Sequence, residues 1–519
     1  MEKYFNTTGV CVPKKHYMVN VDNKLQAIEK LINRDSYFTI NKPRQFGKTT
    51  TLSLLKKRLT SKYIVINCSF EGIGELPFLN EERFSNSFMS FMVDSLEYTY
   101  QDYSKELSKL SNDVIDLSTL SKAITKFVKG CTKEVILFID EVDKSSNNQL
   151  FLSFLGMLRS KYLSREMDED YTFKSVILAG VHDVKTLKFK LRAGEEQKLN
   201  SPWNIAINFK LDMSFNTSEI ETMLIEYCLD NNLEMDIKLF ADRLYYYTSG
   251  YPFLVSRLCQ IIDEDILEIK SNWTLDLLEK VLKQLFKESN TLFEDLFKNI
   301  ENNQELRDYI FDIIFNGEMK TFNINNPLIS LGYLYGIFKE ANTIIKMSNR
   351  VYEQIIYDYF SSKLENTTSN IINYNFRNNF LLLNGGLDMN KVLLKFQQFM
   401  KEQYSTKDLK FLEHNGRTLF LAFLKHIING VGFDFKEVQI SEEKRLDIVV
   451  TYNNFKYIIE LKIWRGESYH KKGIQQLYDY LDIHSVDEGY LLIFNFNADK
   501  EYKDEVIKIN NKDLFTVYL

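Results

Sequence analysis

The sequence predicts an α/β protein of several domains, and three features of the 519-residue chain indicate this. In the first 215 residues, short apolar strands alternate with helical patterns, which is typical of a parallel sheet with helices on both faces. From about 216 to 300, Leu, Ile and Phe recur at three- and four-residue spacing, the pattern of amphipathic helices. A polar, Asn-rich stretch at 362–386 then separates a second α/β segment from the first.

Composition narrows the class of protein. With 45% apolar and 26% charged residues the chain is an ordinary globular protein, and no apolar run reaches the 18 residues that a membrane span needs. The N-terminus has no apolar signal region, and the five scattered cysteines form no CxxC pair, so we expect a cytoplasmic protein with reduced thiols. The net charge of −6 is no general nucleic-acid signature, so any nucleic acid must contact local basic surfaces.

The first chemical motif follows a predicted strand at Tyr37–Ile40. A loop ends in Gly47-Lys48-Thr49, where a helix begins, and this is the context of a phosphate-binding loop. Backbone N–H groups and the positive end of the helix favour an anion there. Lys48 is expected to reach the β- and γ-phosphates of ATP, and the Thr49 hydroxyl to ligate Mg²⁺. The usual motif has a glycine where this chain has Lys42.

The second motif is an apolar strand, Val135–Ile139, that ends in Asp140 and Glu141. We expect Asp140 to hold Mg²⁺ through water and Glu141 to act as the general base, although a strand end that enters a solvated acidic turn has the same pattern. The expected nucleotide-binding residues are Pro43, Arg44, Gln45, Phe46, Gly47, Lys48, Thr49, Thr50 and Asp140. Candidate γ-phosphate sensors, each of which also fits a surface role, are His182, Asp183, Arg192 and Arg257.

The third motif lies in the C-terminal segment. Asp447 begins one predicted strand, and Glu460 and Lys462 lie two apart on the next, so the latter two point to one face. A hairpin brings Asp447 beside them. Two carboxylates that hold Mg²⁺ or Mn²⁺, with a lysine that orients the nucleophile or stabilises charge, suit phosphodiester cleavage, although an exposed salt-bridged strand face has the same pattern.

Other residues around this motif complete the predicted site. A further metal ligand is expected at Glu413, on the preceding helix, and supporting contacts at Gln476 and Tyr480 on the following one. The basic residues that offer local phosphate contacts are Lys444, Arg445, Arg465, His470, Lys471 and Lys472.

These residues together resemble the bacterial AAA-ATPase-like family. The resemblance is carried by Tyr4-Phe-Asn-Thr-Thr-Gly, Pro43-Arg-Gln-Phe-Gly-Lys-Thr, Asp140-Glu141 and Ser201-Pro-Trp-Asn, and in that family the first loop glycine is commonly absent. The C-terminal stretch resembles the PD-(D/E)XK nuclease-superfamily domain through Arg445-Leu-Asp447, Glu460-Leu-Lys462 and Gln476-x-x-x-Tyr480, with Leu446 where the superfamily often has proline. Roles in mobile elements or phage defence follow only by analogy.

The resemblance and the patterns together predict four domains. They are a P-loop ATPase core with a parallel sheet at 1–215, a helical lid at 216–300, a winged-helix-like segment at 301–365 and, after a linker at 366–386, a restriction-endonuclease-like α/β domain at 387–519. The leading hypothesis is an ATP-regulated, Mg²⁺-dependent nuclease that acts on DNA or RNA and could form a homo-oligomer. The alternatives are a nucleotide-dependent signalling switch whose C-terminal domain binds nucleic acid or a partner without cleaving, and an ATPase that remodels nucleic acid.

Overall fold

The computed structural model describes most of the chain, which divides into two compact units. The described residues are 2–142, 149–181, 203, 205–207, 209–266, 272–316, 320–367, 380–403, 420–421, 423–424, 427–428, 432–438, 446–452, 455–483, 486–497 and 500–519. The first unit comprises Met1–Asn299, Ile324–Lys339 and Met347–Val351, and the second Ile300–Asn323, Glu340–Lys346 and Tyr352–Leu519. No helix of the described residues is long and apolar enough to cross a membrane.

The first unit contains a parallel sheet built from the predicted apolar runs. Its strands are β1 (Phe38–Asn41), β2 (Ile64–Ser69), β3 (Val135–Asp140) and β4 (Ser175–Gly180), in the order β1-β4-β3-β2, and every pair is parallel. A bridge from Ile207 pairs in parallel with Phe38 beyond β1. Because every pair is parallel, all four strands end at the same edge of the sheet, so the loops after β1, β3 and β4 meet there.

Helices cover both faces of this sheet, as the sequence predicted. The helices up to β4 are α1 (Asp22–Ile32), α2 (Lys48–Leu59), α3 (Glu81–Glu97), α4 (Gln101–Ser111), α5 (Leu117–Gly130) and α6 (Gln149–Glu166). Alternate strand residues enter two separate apolar clusters: Leu137 and Ile139 pack in one, and Ile136 and Phe138 in the other. Strands buried on both faces read as continuous apolar runs, which explains why β3 and β4 could be recognised.

Further helices follow the sheet in the chain. The α-helices of the described residues from 209 to 301 are α7 (Thr217–Asn231), α8 (Ile237–Thr248), α9 (Pro252–Gln260), α10 (Leu275–Leu285) and α11 (Thr291–Glu301). Helix α7 begins with a capping box, in which Asn216 accepts from the Glu219 N–H and Glu219 bonds back to the N–H of Asn216. Gly250, between α8 and α9, has φ +72°, and a Cβ there would lie 1.8 Å from the carbonyl oxygen of Phe215, so only glycine fits this turn.

The next segment has the helix and hairpin order expected of a winged-helix-like module. Its elements are α12 (Gln304–Phe311), α13 (Pro327–Leu334), β5 (Phe338–Ala341), β6 (Ile344–Met347) and α14 (Arg350–Thr367), and β5 and β6 form a two-stranded sheet. The hairpin turn lies at Asn342 and Thr343, both with positive φ. The identity of the module stays a prediction.

The second unit contains a six-stranded mixed sheet. After α15 (Met389–Gln403) come β7 (Gly432–Val438), β8 (Leu446–Tyr452), β9 (Phe455–Ile463), α16 (Glu467–Ile483), β10 (Glu488–Phe494), β11 (Asp504–Ile509) and β12 (Lys512–Tyr518). The sheet order is β11-β12-β10-β9-β8-β7. Strand β8 pairs antiparallel with both β7 and β9, and β11 pairs antiparallel with β12. Strands β9, β10 and β12 run parallel, with α16 as the crossover from β9 to β10.

Candidate functional site

The loop from β1 to α2 has a backbone shape set by two residues of positive φ. Gly47 has φ 78° and is the N-cap of α2, and Gln45 has φ 54°. Glycine adopts the left-handed conformation without steric cost. The turn therefore brings the chain directly into α2, whose first N–H groups have no partner within the helix and form a natural anion site.

Lys48 opens helix α2 and is buried, with 7% of its surface exposed. Its ammonium donates to the carbonyl oxygens of Lys42 and Pro43, each at 2.9 Å. The side chain thus folds back along the loop rather than into solvent. A buried ammonium needs such acceptors, and its charge lies in the concavity that the loop forms.

Thr49 and Asp140 are brought together from distant parts of the sequence. The Thr49 hydroxyl donates to Asp140 Oδ2 at 2.7 Å, and Asp140 Oδ1 accepts from the Glu141 backbone N–H at 2.9 Å. Asp140 ends β3 and is buried, and Glu141 leaves the strand with φ 57°. Parallel strands place these two motifs at one edge, so the order of the sheet explains a contact across 91 residues.

The loop is also bonded to the helices that follow the sheet. The Tyr251 hydroxyl, at the start of α9, donates to the Arg44 carbonyl oxygen at 2.6 Å, and its ring meets that of Phe46 edge-on with centroids 4.8 Å apart. From α11, Thr291 Oγ1 accepts from Gln45 Nε2 at 2.9 Å, and Asp295 pairs with Arg44 at 3.3 Å. The loop conformation and the placement of α9 and α11 are therefore coupled.

A cavity of about 340 Å³ opens beside the loop. Its walls include residues 6–9, 11, 17–19 and 21 of the N-terminal segment, Lys24 of α1, the loop and α2, residues 213 and 215, and parts of α7 and α9, and the lining is mainly apolar. The N-terminal segment is tied to α2 because the Cys11 N–H donates to the Thr50 hydroxyl at 3.1 Å. This volume lies within the range of roughly 300–1,000 Å³ that small-molecule sites occupy.

No sequence motif marks the N-terminal wall of this cavity. Asn6, Thr7 and Thr8 carry no charge and show no periodicity, and their role depends on contacts made only in the folded chain. In the sequence, the segment from Tyr4 to Gly9 stands out only through its family resemblance.

Arg257, one of the predicted sensors, lies on α9 and has acidic partners. Glu288 accepts from its guanidinium in a bidentate pair at 2.6 and 3.1 Å, and Gln260 accepts from it at 2.9 Å. Gln260 in turn accepts from the hydroxyl of Thr7, which lines the cavity. Arg257 is thus linked to the cavity wall through one residue. The other three sensor candidates, His182, Asp183 and Arg192, lie outside the described residues.

The C-terminal motif is assembled by strand register. The Cα atoms of Asp447 on β8 and Glu460 on β9 are direct partners in the antiparallel pair. Glu460 and Lys462, at 2% and 4% exposure, form an ion pair at 2.5 Å. The Lys462 ammonium also donates to Gln476 Oε1 on α16 at 2.6 Å.

The remaining predicted residues of this motif are placed as follows. Tyr480, one turn beyond Gln476, packs in the apolar cluster between the sheet and α16. Glu413 lies outside the described residues. For Asp447 the structure describes the backbone but not the side chain. Gly473 of α16 was not predicted, although a Cβ on it would lie 2.8 Å from Lys462 Nζ. Among the described residues, no cluster of three or more His, Cys, Asp or Glu side chains forms a metal site.

Three solved structures are similar to part of this chain. A Walker-type ATPase of Pyrococcus abyssi is 12% identical with a TM-score of 0.47, over 68% of this chain and 99% of its own. The ORC2 protein of Aeropyrum pernix is 12% identical with a TM-score of 0.41, over 69% and 98%. The RuvB Holliday junction branch migration motor of Thermotoga maritima is 16% identical with a TM-score of 0.33, over 64% and 94%.

The family comparison is more direct than these structural likenesses. No curated protein matches the chain. The AAA-like domain family matches residues 8–361, which include the phosphate-binding loop, the Asp140-Glu141 strand end and the helices after the sheet. The match spans more than half of the chain, so this ATPase-like, nucleotide-binding protein belongs to the AAA-like domain family.

Proposed function

We propose that the first unit binds ATP with Mg²⁺ and hydrolyses it. The observation that carries the proposal is the Thr49–Asp140 hydrogen bond, which lies where Lys48 and the start of α2 form an anion site. The nucleoside occupies the apolar cavity beside the loop, and the phosphates extend over Gly47 to Lys48. In this arrangement the cavity holds the base and sugar, and the donors of the loop and of helix α2 line the phosphates up to the γ-phosphate.

The donor set at this edge fits Mg²⁺. A hydroxyl and a carboxylate oxygen 2.7 Å apart are hard oxygen ligands, and Mg²⁺ in nucleotide sites uses one or two such protein ligands together with waters and phosphates. When bound, the ion neutralises charge on the phosphates. Glu141, directly after Asp140, accepts a proton from the water that attacks the γ-phosphate. Manganese has similar ligand preferences and serves as a probe.

Calorimetric titration with ATP and Mg²⁺ tests this proposal. Lys48→Ala removes a charged donor to phosphate, a contribution of about 1.5–3 kcal/mol, so affinity should fall roughly tenfold to a hundredfold. Lys57→Ala, an exposed lysine on the same helix, is the matched control and should bind as the wild type does. Glu141→Gln should bind ATP but not release phosphate. Equal affinity in the Lys48 and Lys57 variants would refute the assignment.

We infer that the second unit cleaves phosphodiesters in a nucleic acid with Mg²⁺ or Mn²⁺. The register of Asp447 opposite Glu460, with Lys462 two residues on, supports this inference because it places two acidic residues and a lysine at neighbouring positions of the sheet. Two opposed carboxylates fit a Mg²⁺ ion that keeps several waters. Lys462 has three N–H donors, so after bonding Glu460 and Gln476 it can donate a third to the nucleophile or to the phosphate.

The surroundings of this site favour a phosphodiester polymer. Arg465, Lys471 and Lys472 are exposed and lie between the end of β9 and the first turns of α16, so they offer local phosphate contacts despite the acidic chain. We propose that ATP binding in the first unit regulates cleavage and that copies of the chain assemble into a homo-oligomer. Either DNA or RNA suits these contacts, since none of them distinguishes the sugar.

A cleavage screen on DNA and RNA, with and without ATP, separates the candidate functions. Asp447→Ala and Lys462→Ala should abolish cleavage, while Lys508→Ala, an exposed lysine on β11, should not. Full activity in Asp447→Ala, or cleavage without divalent metal, would rule out the proposed chemistry. Absence of cleavage together with tight nucleotide binding and ATP-dependent assembly would favour the signalling switch.

A further inference from the structure

A row of residues crosses the parallel part of the second unit's sheet. Lys462 on β9 pairs with Ile493 on β10, and Ile493 pairs with Tyr518 on β12. Paired residues on neighbouring strands point to the same face, so Lys462 and Tyr518 share a face about 10 Å apart, two strand spacings. Helix α16 covers that face, because its Leu477 and Leu481 pack with Ile493 and Tyr518.

His470, in the first turn of α16, is bonded to this row in a defined tautomer. Its Nε2 lies 3.1 Å from the Tyr518 hydroxyl, which donates its single proton to Glu505 Oε1 at 2.6 Å. A carboxylate only accepts, so the tyrosine oxygen must accept from the imidazole. Nε2 therefore carries the imidazole proton, and Nδ1 presents a lone pair.

The face of α16 that carries His470 also approaches Lys462. Gly473, one turn after His470 on α16, approaches Lys462 so closely that a Cβ on it would lie 2.8 Å from Nζ. Residues three apart on a helix lie on the same face. His470 is therefore one helical turn from the position that contacts the ammonium, and the charge of Lys462 acts on its imidazole.

Burial keeps the pKa of His470 low. Desolvation of the imidazole lowers this pKa below its ordinary value, and Lys503, directly before β11, and Lys462 of β9 lower it further. Glu505 and Glu467 act in the opposite direction. Trp464 packs against the ring, with centroids 5.4 Å apart. The result is an imidazole that is unprotonated near neutral pH and able to accept a proton.

We propose that His470 is the proton-accepting residue of the C-terminal site, positioned by Tyr518 and Glu505. This rests on the proposed phosphodiester cleavage. The Lys462 ammonium has no lone pair, so it cannot accept the proton itself. An O–H bond of water breaks and its proton moves to Nδ1, while the water oxygen bonds to phosphorus and the bond to the leaving oxygen breaks. Solvent protonates the leaving oxygen, and His470 returns its proton to solvent.

The full-length chain allows a kinetic test. His470→Gln should lower the single-turnover cleavage rate about 100-fold and remove the acidic limb of its pH profile, with the Kd for substrate unchanged. Tyr518→Phe keeps the imidazole but removes the hydrogen bond that fixes its tautomer. Its single-turnover cleavage rate should therefore fall about tenfold, and the acidic limb of its pH profile should shift. His16→Gln, in the first unit, is the matched control and should leave the profile unchanged. If His470→Gln kept the wild-type rate and pH profile, the role of His470 would be refuted but the proposed cleavage would stand. If the wild type cleaved no substrate, both the proposed cleavage and the role of His470 would be refuted.

A measurement independent of activity tests the tautomer. In the chain labelled with ¹⁵N at its six histidines, the imidazole of His470 should show a protonated Nε2 and an unprotonated Nδ1 at pH 7, as should that of His16, whose Nδ1 accepts from the Val12 N–H. The His470 signal is the one that should vanish in His470→Gln and move in Tyr518→Phe. A His470 signal with the proton on Nδ1, or one that Tyr518→Phe leaves unmoved, would contradict the assigned geometry.

Discussion

The two candidate sites are built in different ways, although each contains a buried lysine. In the first unit, the groups come from loops and helix starts that follow strand ends, and Lys48 bonds to the backbone carbonyls of its own loop. In the second unit, the groups lie within paired strands, and Lys462 bonds to the side chains of Glu460 and Gln476. A loop can adjust when a ligand arrives, whereas an ion pair inside a sheet is fixed by three neighbouring strands and a helix. The first arrangement therefore suits capture and release, and the second suits orientation.

The largest expected effect is that replacing the buried lysine destabilises the protein more at the second site than at the first. Lys462→Ala leaves the Glu460 carboxylate buried without its cation, which typically costs about 3–5 kcal/mol. Lys48→Ala leaves two carbonyls that can be solvated once the side chain is gone, at a cost of about 1–2 kcal/mol. Urea unfolding of each variant measures both values. Equal losses of unfolding free energy in the two variants would show that the sites do not differ in what their lysines contribute to stability. The double variant Glu460→Leu/Lys462→Met leaves no unpaired charge and should recover most of the stability lost at the second site.

A smaller effect is expected from the glycines of the two units. Gly473→Ala would place a Cβ 2.8 Å from the Lys462 ammonium, an overpacking that costs about 1–3 kcal/mol and displaces the amine. Because the obstacle is a side chain, the cost should disappear in a Lys462→Ala background, which a double-mutant cycle measures. At Gly250 the obstacle is the Phe215 backbone, so no partner substitution should rescue Gly250→Ala. A Gly473→Ala cost that persists without Lys462 would show that its cause lies elsewhere.

The parts of the fold and of the sites that the sequence predicted are those with a local pattern of residues. Strands β1, β3 and β4 were recognised because parallel strands buried on both faces give continuous apolar runs. Strand β11 was not predicted, since Asp504–Ile509 alternates between exposed and half-buried residues at the sheet edge and has no apolar run. Period-two and four-residue spacings sufficed to place Lys462 with Glu460 and Gln476.

Two features of the sites could not be predicted in this way. The N-terminal wall of the cavity depends on contacts such as that of Cys11 with Thr50, between residues whose types carry no signal. The role of Gly473 depends on a missing Cβ opposite a lysine eleven residues earlier in the chain, which no local pattern reveals. Local chemistry can be read from the sequence, whereas contacts between elements require the fold.

The smallest effect is a pH dependence that also separates the units. Burial lowers the pKa of His16, with a further contribution from Lys15, and burial likewise lowers that of His470. The folded pKa is thus below the unfolded value of about 6.5, so as pH falls the unfolded state binds protons first and stability declines; above that pH it is fully retained. His16 Nδ1 accepts from the Val12 N–H at 2.8 Å, and protonation would remove this bond.

Replacing each histidine distinguishes the two roles. Urea midpoints at pH 5, 6 and 7 should depend less on pH in His16→Gln and in His470→Gln than in the wild type, because each variant lacks one of the groups that the unfolded chain protonates. Only His470→Gln should also change the pH profile of cleavage. If the two variants alter stability and cleavage alike, His470 would be a structural group like His16, and the contrast between a loop-built site and a strand-built site would not extend to proton transfer.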